Sequence, residues 1–338
     1  MSDFKLKFES LAAPVNTNIK KAIDEIDMLE IKPSEGPQNA KNHNRFRIST
    51  VKLKKQPFNS IKSYIAYIDS YMKTAKENHC ALIAFPELCS LLPLPITIGG
   101  DKVLERLSTF DLPNLDEYFN QYIHSLGQWS YELYINVFRT FAKSYNMVIV
   151  AGSVFVMENG EYYNRSFVFD ENGEIIGTQD KLFLSEYEKR LGLSVGTQIN
   201  IIETCVGNLT ILNDYDCFFF ETAKIAKNLG ANMIFSSQIS RNSKIQSKCH
   251  EALIWRCEEQ NLYGIESSYE LELINTQCSF IAPAVLTKNQ MGLLSSSDEH
   301  KTITYLLNFD KLNNKFDPYA SDRNQYFYKN YNHCVYFD

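Results

Sequence analysis

The stretch NLTILNDYDCFFFETAKIAKNLGANMIFSS (208–237) is the most informative part of the sequence for the fold. Its first residues predict a strand, residues 220–229 predict a helix, and ANMIFSS (231–237) predicts a second strand. The turn NDYD (213–216) joins the first strand to the helix. Such an elbow exposes one side chain and the following backbone N–H groups at the top of a sheet. This geometry suits a nucleophile beside an oxyanion hole.

Strands and helices alternate on both sides of this stretch. Upstream, FRISTVKL (46–53) predicts a strand, residues 60–76 a helix, and the apolar run CALIAF (80–85) a buried strand. The other predicted strands are MVIVAGSVFV (147–156), YYNRSFVFD (162–170), EIIGTQD (174–180), INIIET (199–204), LYGIESS (262–268), SFIAPAV (279–285) and ITYLLNF (303–309). Roughly a dozen strands in two halves rich in β–α units predict an α/β fold with two sheets faced by helices, a four-layer α-β-β-α sandwich. The pattern alone leaves a doubly wound single sheet open.

The chain divides into three parts. Residues 1–44 form an N-terminal extension with a predicted helix near 18–29, residues 45–310 form the main domain, and residues 311–338 form a C-terminal tail. The extension lacks a strong core pattern, so we expect it to pack as an arm on the main domain.

Composition excludes several classes of partner. The chain carries 34 basic and 40 acidic residues, a net charge of −6, which argues against nucleic acid. It contains neither a run of 18 apolar residues nor an apolar N-terminal signal core, which predicts a cytoplasmic protein that does not bind a membrane. Eight scattered cysteines without a zinc-type spacing predict reduced thiols and no metal. Without a glycine-rich phosphate loop, no cofactor is expected.

Two charged residues follow predicted strands. Glu87 follows CALIAF with only Pro86 between them, at the end of a strand, where α/β proteins place their sites. Lys181 follows a hairpin strand and precedes three apolar residues, so its ammonium group is a candidate for burial beside an anion. Taken singly, each residue is better explained by a solvated position at the end of a strand.

Together, these motifs resemble those of the nitrilase, or carbon–nitrogen hydrolase, superfamily across residues 45–310. Glu87 in AFPEL, Lys181 in DKLFLSEYE and a supporting Glu188 match the family pattern. The elbow pattern is matched in order and spacing by Tyr215, Asp216, Phe219, Glu221, Gly230 and Ala231. Smaller matches are Tyr163-Asn164, Asn172-Gly173-Glu174, Gly196 and Pro283. The resemblance implies the sandwich fold.

The resemblance also implies roles for these residues. In the family a thiolate attacks a nitrile or amide carbon, a glutamate acts as base and then acid, and a lysine stabilises the oxyanion. Glu87 and Lys181 take the last two roles, with Glu188 and Tyr215 as supporting residues. Substrate contacts are expected from Ser236, Ser237 and Gln238. A small-molecule substrate follows, as does a homodimer or higher homo-oligomer formed through helices at 217–229 and 249–260.

One departure affects the chemistry. Counting back from Glu221, the position of the family's nucleophilic cysteine falls on Asp214, and the nearest thiol is Cys217. An aspartate keeps an anion beside Lys181, and losing one member of a buried ion pair costs about 3–5 kcal/mol. Asp214 is therefore either a charge replacement that holds the fold or a functional acid, base or orienting anion. Cys217 is a candidate displaced nucleophile, or else a small apolar side chain packed in a helix.

Three functions remain open from the sequence. The first is an enzyme of altered chemistry, with Glu87, Lys181 and Asp214 around a small amide-like, nitrile-like or acyl substrate. The second is a catalytically inactive homologue that acts as a binding or regulatory subunit. The third is an amidase or nitrilase that uses Cys217. Two other features are interpreted as structural: Trp255 as a core residue, and Cys249-His250 as neighbours that point apart on a helix.

Overall fold

The computed structural model describes residues 12–29, 44–97, 99–107, 114–239, 243–270, 276–297 and 301–313. At 12–18, 106, 238 and 243–246 only the backbone is described. Most of the predicted tail, 311–338, lies outside the described residues.

Twelve strands occur in the described part of the chain. They are β1 (Arg45–Lys54), β2 (Leu82–Ala84), β3 (Val148–Glu158), β4 (Glu161–Phe169), β5 (Ile175–Asp180), β6 (Ile202–Thr204), β7 (Gly207–Ile211), β8 (Met233–Gln238), β9 (Tyr263–Glu270), β10 (Cys278–Ile281), β11 (Leu293–Ser297) and β12 (Thr302–Asn308). The strand order is β5-β4-β3-β2-β1-β9-β8-β7-β6, with β12 beside β1, β10 beside β9, and β11 beside β10.

The α-helices in the same residues form a second set. They are α1 (Ala12–Asp27), α2 (Ile61–Glu77), α3 (Gly100–Leu107), α4 (Leu115–Tyr122), α5 (Gln128–Tyr145), α6 (Glu186–Arg190), α7 (Phe220–Asn228), α8 (Ser243–Gln260) and α9 (Phe309–Asn313). Their starts have local causes. In α2, for example, the Ser60 side chain caps the backbone N–H of Ser63, which satisfies one of the unpaired donors of the first turn.

Strand β1 links the two halves of the strand array. Residues 48–50 of β1 run parallel to β2, whereas Lys52–Lys54 run parallel to Ser268–Glu270 of β9. The twist along this long strand therefore divides the array into two sheets that face each other. The carboxyl ends of β2 in one sheet and of β7 and β8 in the other consequently come together at one edge.

Three apolar clusters define four layers. Leu82 and Val150 of one sheet pack with Phe235 and Ile265 of the other in the central cluster. The outer face of the first sheet is covered by α1, α2 and α5, and the outer face of the second by α7 and α8. The predicted α-β-β-α sandwich is confirmed, and the alternative of a doubly wound single sheet is wrong.

Three details differ from the sequence-based expectations. The N-terminal helix begins earlier than predicted, at Ala12, and Ile19, Ala22 and Ile26 are buried against the body. The sequence analysis missed β11, because its run of serines shows no apolar alternation. Trp255 is 61% exposed, so its interpretation as a core residue was wrong. It lies on α8, and a helical pattern alone does not specify which face meets the sheet.

Candidate active site

The elbow after β7 places Asp214 at the start of a short 3-10 helix, Asp214–Phe218. The backbone of Asp214 has φ +49°, in the left-handed region, where aspartate is tolerated better than most residues. Asp216 stabilises the turn, because its Oδ2 accepts the Asn213 N–H at 3.2 Å and its Oδ1 accepts the Leu182 and Phe183 N–H groups at 3.0 and 2.7 Å. Asp216 thus ties the elbow to the segment that carries Lys181.

Two neighbouring strands of the second sheet, β8 and β9, hold the backbone of Glu87. Its N–H donates to Ser237 Oγ at 2.6 Å, and its carbonyl accepts the Tyr269 hydroxyl at 2.8 Å. Gly152 on β3 lets this segment approach closely, since a Cβ at Gly152 would lie 2.0 Å from the carbonyl oxygen of Pro86. The position of Glu87 therefore depends on a glycine that the sequence analysis did not identify.

The Lys181 side chain joins residues from three segments. Its Nζ lies 3.1 Å from Glu87 Oε1, 2.9 Å from Glu188 Oε1 and 3.7 Å from Asp214 Oδ2. All four side chains are buried. The structure thus brings Glu87, Lys181, Glu188 and Asp214 together, as the resemblance implied.

Asn164 on β4 belongs to the same cluster. Its Nδ2 donates to Glu87 Oε1 at 2.6 Å and to Glu188 Oε1 at 3.2 Å. The sequence analysis noted Tyr163-Asn164 as a family match but gave Asn164 no role. Its amide is therefore a second donor, besides Lys181 Nζ, that links the side chains of Glu87 and Glu188.

The electrostatics of the cluster follow from burial and from one cation among several acids. Burial, with the Glu188 and Asp214 carboxylates, raises the pKa of Glu87 to about 8, although Lys181 acts in the opposite direction. Burial opposes the charge on Lys181, but the carboxylates outweigh it and raise its pKa. For Glu188, Lys181 and Ser185 outweigh burial and lower the pKa. Glu87 is therefore protonated, and Lys181 charged, at neutral pH.

Two buried oxygens of this cluster, Asn164 Oδ1 and Glu87 Oε2, have no hydrogen bond within the described part of the chain. Glu87 Oε1 contacts Lys181 and Asn164, whereas its buried Oε2 has no hydrogen bond within the described part of the chain. Leaving a buried polar atom unsatisfied costs about 1–3 kcal/mol, so such atoms concentrate where function requires them. A protonated Oε2 can donate to a bound molecule, and an ionised Oε2 can accept from one.

The remaining predicted site residues differ in placement. Tyr215 is half-buried. Its burial and, to a smaller extent, the Asp214 carboxylate raise the pKa of its hydroxyl group. Ser237 faces Glu87, whereas Ser236 Oγ lies 3.4 Å from Cys217 Sγ, beneath the elbow. Only the backbone of Gln238 is described, so its predicted contact with substrate lies outside the described side chains.

Cys217 is enclosed. Its thiol is fully buried within the cluster under α7 and α8, and it donates to Leu212 O at 3.2 Å. Burial raises its pKa to about 12. This packing favours the structural interpretation of Cys217 over the displaced nucleophile.

A second thiol approaches the elbow from α8. Cys249 Sγ lies 3.1 Å from Asp214 Oδ1, while the neighbouring His250 contacts Glu266 Oε2 at 2.8 Å. The two neighbours therefore have different partners, in keeping with their positions on a helix. The sequence analysis gave Cys249 no functional role.

The residues with described positions contain neither a metal-type cluster nor a helix able to span a membrane. They contain no group of three or more histidine, cysteine, aspartate or glutamate side chains placed to hold a metal ion. None of their helices is long and apolar enough to cross a membrane.

Comparisons with known proteins identify the family. The sequence profile described as "Carbon-nitrogen hydrolase" matches residues 48–256. The probable hydrolase YhcX of Bacillus subtilis is 26% identical over 267 residues, 78% of this chain and 47% of that protein. The 2-oxoglutaramate amidase of the same organism is 33% identical over 138 residues, 40% of this chain and 50% of that protein. This chain thus spans about half the length of the curated relatives it matches.

A solved structure agrees with the sequence profile. The carbon-nitrogen hydrolase of Helicobacter pylori G27 superimposes with a TM-score of 0.67 at 17% identity, covering 88% of this chain and all of that one. At this identity the likeness concerns the fold alone. Because the profile matches more than half of the sequence, the chain belongs to the carbon–nitrogen hydrolase family, within the nitrilase superfamily.

Proposed function

We propose that this protein hydrolyses a carbon–nitrogen bond in a small amide-like substrate, with Glu87, Lys181 and Asp214 as its catalytic residues. A nitrile-like or acyl substrate is compatible with the same chemistry. The observation that supports the proposal most directly is the unpaired Oε2 of Glu87, buried beside the Lys181 ammonium group. A buried acid and a buried cation side by side match the needs of acyl transfer from nitrogen.

Each residue has a distinct task in this proposal. Glu87, with a pKa of about 8, transfers protons to and from the reacting groups near neutral pH. Lys181 stabilises the oxyanion of the tetrahedral intermediate. Glu188 and Asn164 hold Lys181 and Glu87 in place. Asp214 acts as an acid, base or orienting anion and not as the nucleophile. Its attack on an amide would form an anhydride, which is higher in free energy than the thioester that a thiol would form.

The test measures ammonia released from a panel of small primary amides. We expect turnover by the wild type and a loss of at least about 100-fold in Glu87→Gln, the contribution typical of acid–base catalysis. Glu270→Gln is the matched control, because Glu270 is an exposed partner of Lys54. Equal rates in Glu87→Gln and wild type would contradict the assignment of Glu87.

A second candidate function is a catalytically inactive binding or regulatory subunit. The observations that favour it are the carboxylate at position 214 and the enclosed thiol of Cys217. The two functions differ in one measurable respect. A catalytically inactive subunit would gain thermal stability from a small amide without releasing ammonia. A ligand that binds the folded state and not the unfolded state stabilises the folded state.

We also propose that the protein forms a homodimer through α7 and α8. These helices, together with Leu229 directly after α7, expose large apolar side chains, namely Phe220, Ile225, Leu229 and Trp255. Contiguous apolar side chains on a surface are typical of protein interfaces. Helix α8 contributes to this apolar surface and also carries Cys249, which contacts Asp214. Dimer formation would therefore cover the outer face of a helix that borders the site.

A further inference from the structure

Cys249 differs from the other buried cysteines in its surroundings. In the described residues, the buried cysteines that belong to apolar clusters are Cys80, Cys89, Cys217, Cys257 and Cys278. Cys249 is equally buried but belongs to none of the three clusters. Its thiol instead faces the Asp214 carboxylate at 3.1 Å. A buried thiol in polar surroundings is not explained by packing alone.

Asp214 connects this thiol to the charged cluster. Its Oδ1 accepts from Cys249 Sγ at 3.1 Å, and its Oδ2 lies 3.7 Å from Lys181 Nζ. The Cys249 thiol and the Lys181 ammonium group therefore contact different oxygens of the same Asp214 carboxylate. The same cluster contains the unpaired, fully buried Oε2 of Glu87, so thiol, base, cation and acid occur within one connected set of side chains.

We propose that Cys249 is the nucleophile of this protein, a thiol supplied by helix α8 and activated by the carboxylate at the elbow. The inference rests on the proposed carbon–nitrogen hydrolysis and names the atom that attacks. It also gives Asp214 a defined task, as general base to Cys249. Nucleophile and base lie within hydrogen-bonding reach, as activation of a thiol requires.

Bond formation and proton transfer balance in the acylation half. The Cys249 proton passes to Asp214 Oδ1 as the sulfur bonds to the amide carbon, and the C=O electron pair moves to oxygen beside the Lys181 ammonium group. The electron pair on oxygen then re-forms the C=O bond as the C–N bond breaks. The nitrogen keeps the electron pair of the broken bond and takes the proton of the Glu87 carboxyl group. The products are ammonia and an acyl thioester on Cys249.

In the second half of the reaction, water hydrolyses the acyl thioester on Cys249. The Glu87 carboxylate takes a proton from water as the water oxygen bonds to the acyl carbon and the C=O electron pair moves to oxygen. The C=O bond then re-forms as the C–S bond breaks, and sulfur recovers its proton from Asp214. The carboxylic acid leaves with every protein group back in its starting state, so the sequence needs no redox partner or cofactor.

The protonation states of the resting site agree with this order of events. Burial, and then the Asp214 carboxylate, raise the pKa of the Cys249 thiol, so the proton stays on sulfur until substrate arrives. Burial likewise raises the pKa of Asp214, which makes its carboxylate a stronger base than an exposed one.

The first experiment maps covalent adducts on the unmodified protein. Fluoroacetamide, a small amide that loses fluoride when a thiolate attacks, is incubated with the wild type, and the tryptic peptides are analysed by mass spectrometry. Cleavage after Lys248 and Arg256 places Cys249 in peptide 249–256, apart from the other cysteines. We expect one acetamide group on that peptide. An adduct confined to another cysteine would overturn the assignment.

The second experiment compares ammonia release by Cys249→Ser, Cys217→Ala and wild type. We expect Cys249→Ser to lose at least about 1000-fold, as nucleophile replacements do, while the matched Cys217→Ala keeps most of its activity. Turnover by Cys249→Ser at the wild-type rate, with Glu87→Gln inactive, would overturn the nucleophile and leave the proposed hydrolysis standing. A wild type with neither turnover nor adduct would overturn both.

Discussion

The Lys181 ammonium group lies 3.7 Å from the Asp214 carboxylate, and both side chains are buried. Lys181 follows β5 of one sheet, and Asp214 follows β7 of the other, so the contact joins the two halves of the sandwich. Asp214 has a strained φ of +49° and still keeps this contact. The elbow therefore presents an anion to Lys181 at the top of the site.

The first prediction concerns this cation. Lys181→Ala leaves Glu87, Glu188 and Asp214 without their shared partner, and breaking a buried ion pair in this way costs about 3–5 kcal/mol. Chemical denaturation measures the loss. The matched control is Lys54→Ala, which removes an exposed pair with Glu270 and costs about 0–1 kcal/mol. Equal stabilities of the two variants would mean that the cluster is solvated.

The second prediction is a fall in stability between about pH 5 and pH 8. Glu87 and Asp216 have folded pKa values of about 8 and about 7, above those of unfolded carboxyl groups, so the folded state retains protons that the unfolded state releases. Their contribution is complete at low pH and is lost as the pH rises through the folded values. Each group adds a slope of up to about 1.4 kcal/mol per pH unit.

Urea denaturation at several pH values checks this dependence. Glu87→Gln removes one titrating group and should flatten the curve, whereas Glu270→Gln, at an exposed position, should not. Lys181, whose pKa is raised, and Glu188, whose pKa is lowered, contribute a constant amount in this window. A Glu87→Gln curve parallel to that of wild type would show that Glu87 does not titrate there.

The third prediction concerns the approach of Gly152 to the Glu87 segment. Gly152→Ala and Gly160→Ala both place an alanine at positive φ, which costs roughly 1–2 kcal/mol. A Cβ at Gly152 would also lie 2.0 Å from the carbonyl oxygen of Pro86. A Cβ at Gly160 would have no heavy atom within 4 Å outside its own residue and its chain neighbours. Gly152→Ala should therefore be the less stable variant and should also lose activity. Similar melting temperatures and activities would contradict a positioning role for Gly152.

The fourth prediction concerns a thiol at the elbow. Asp214→Cys places a thiol beside Lys181, whose charge lowers the thiol pKa and favours reaction with iodoacetamide. We expect fast labelling at position 214 in the variant and slow labelling of Cys217 in both proteins. Rapid labelling of wild-type Cys217 would instead support the displaced nucleophile, and an inert thiol at position 214 in a folded variant would support the catalytically inactive subunit.

The fifth prediction concerns the proposed dimer. Ile225→Asp introduces a charge into the exposed apolar surface of α7 and α8 and should convert the dimer to a monomer. Val285→Asp, a matched change at another exposed apolar residue, should leave the molar mass unchanged. Light scattering after size-exclusion chromatography distinguishes the two. A wild type that is monomeric at all concentrations would contradict the dimer.

Sequence periodicity predicted most of the elements because it is a local property. The alternation in FRISTVKL, the apolar run CALIAF and the elbow 213–216 each report the environment of adjacent residues. Strand β11 escaped detection, because serine occupies positions where apolar residues normally mark the buried face. The exposure of Trp255 was also missed, since it depends on how α8 is rotated against its sheet.

The sequence by itself determined the family, the layered architecture and the residues Glu87, Lys181, Glu188 and Asp214, because these lie in motifs with characteristic spacing. Tertiary structure alone decided how Cys249 relates to them. Cys249 is 35 residues from Asp214, on a helix whose pattern gives no functional signal, yet packing of α8 over the elbow places its thiol 3.1 Å from the carboxylate. Such a contact arises from the packing of distant segments, which no local pattern records.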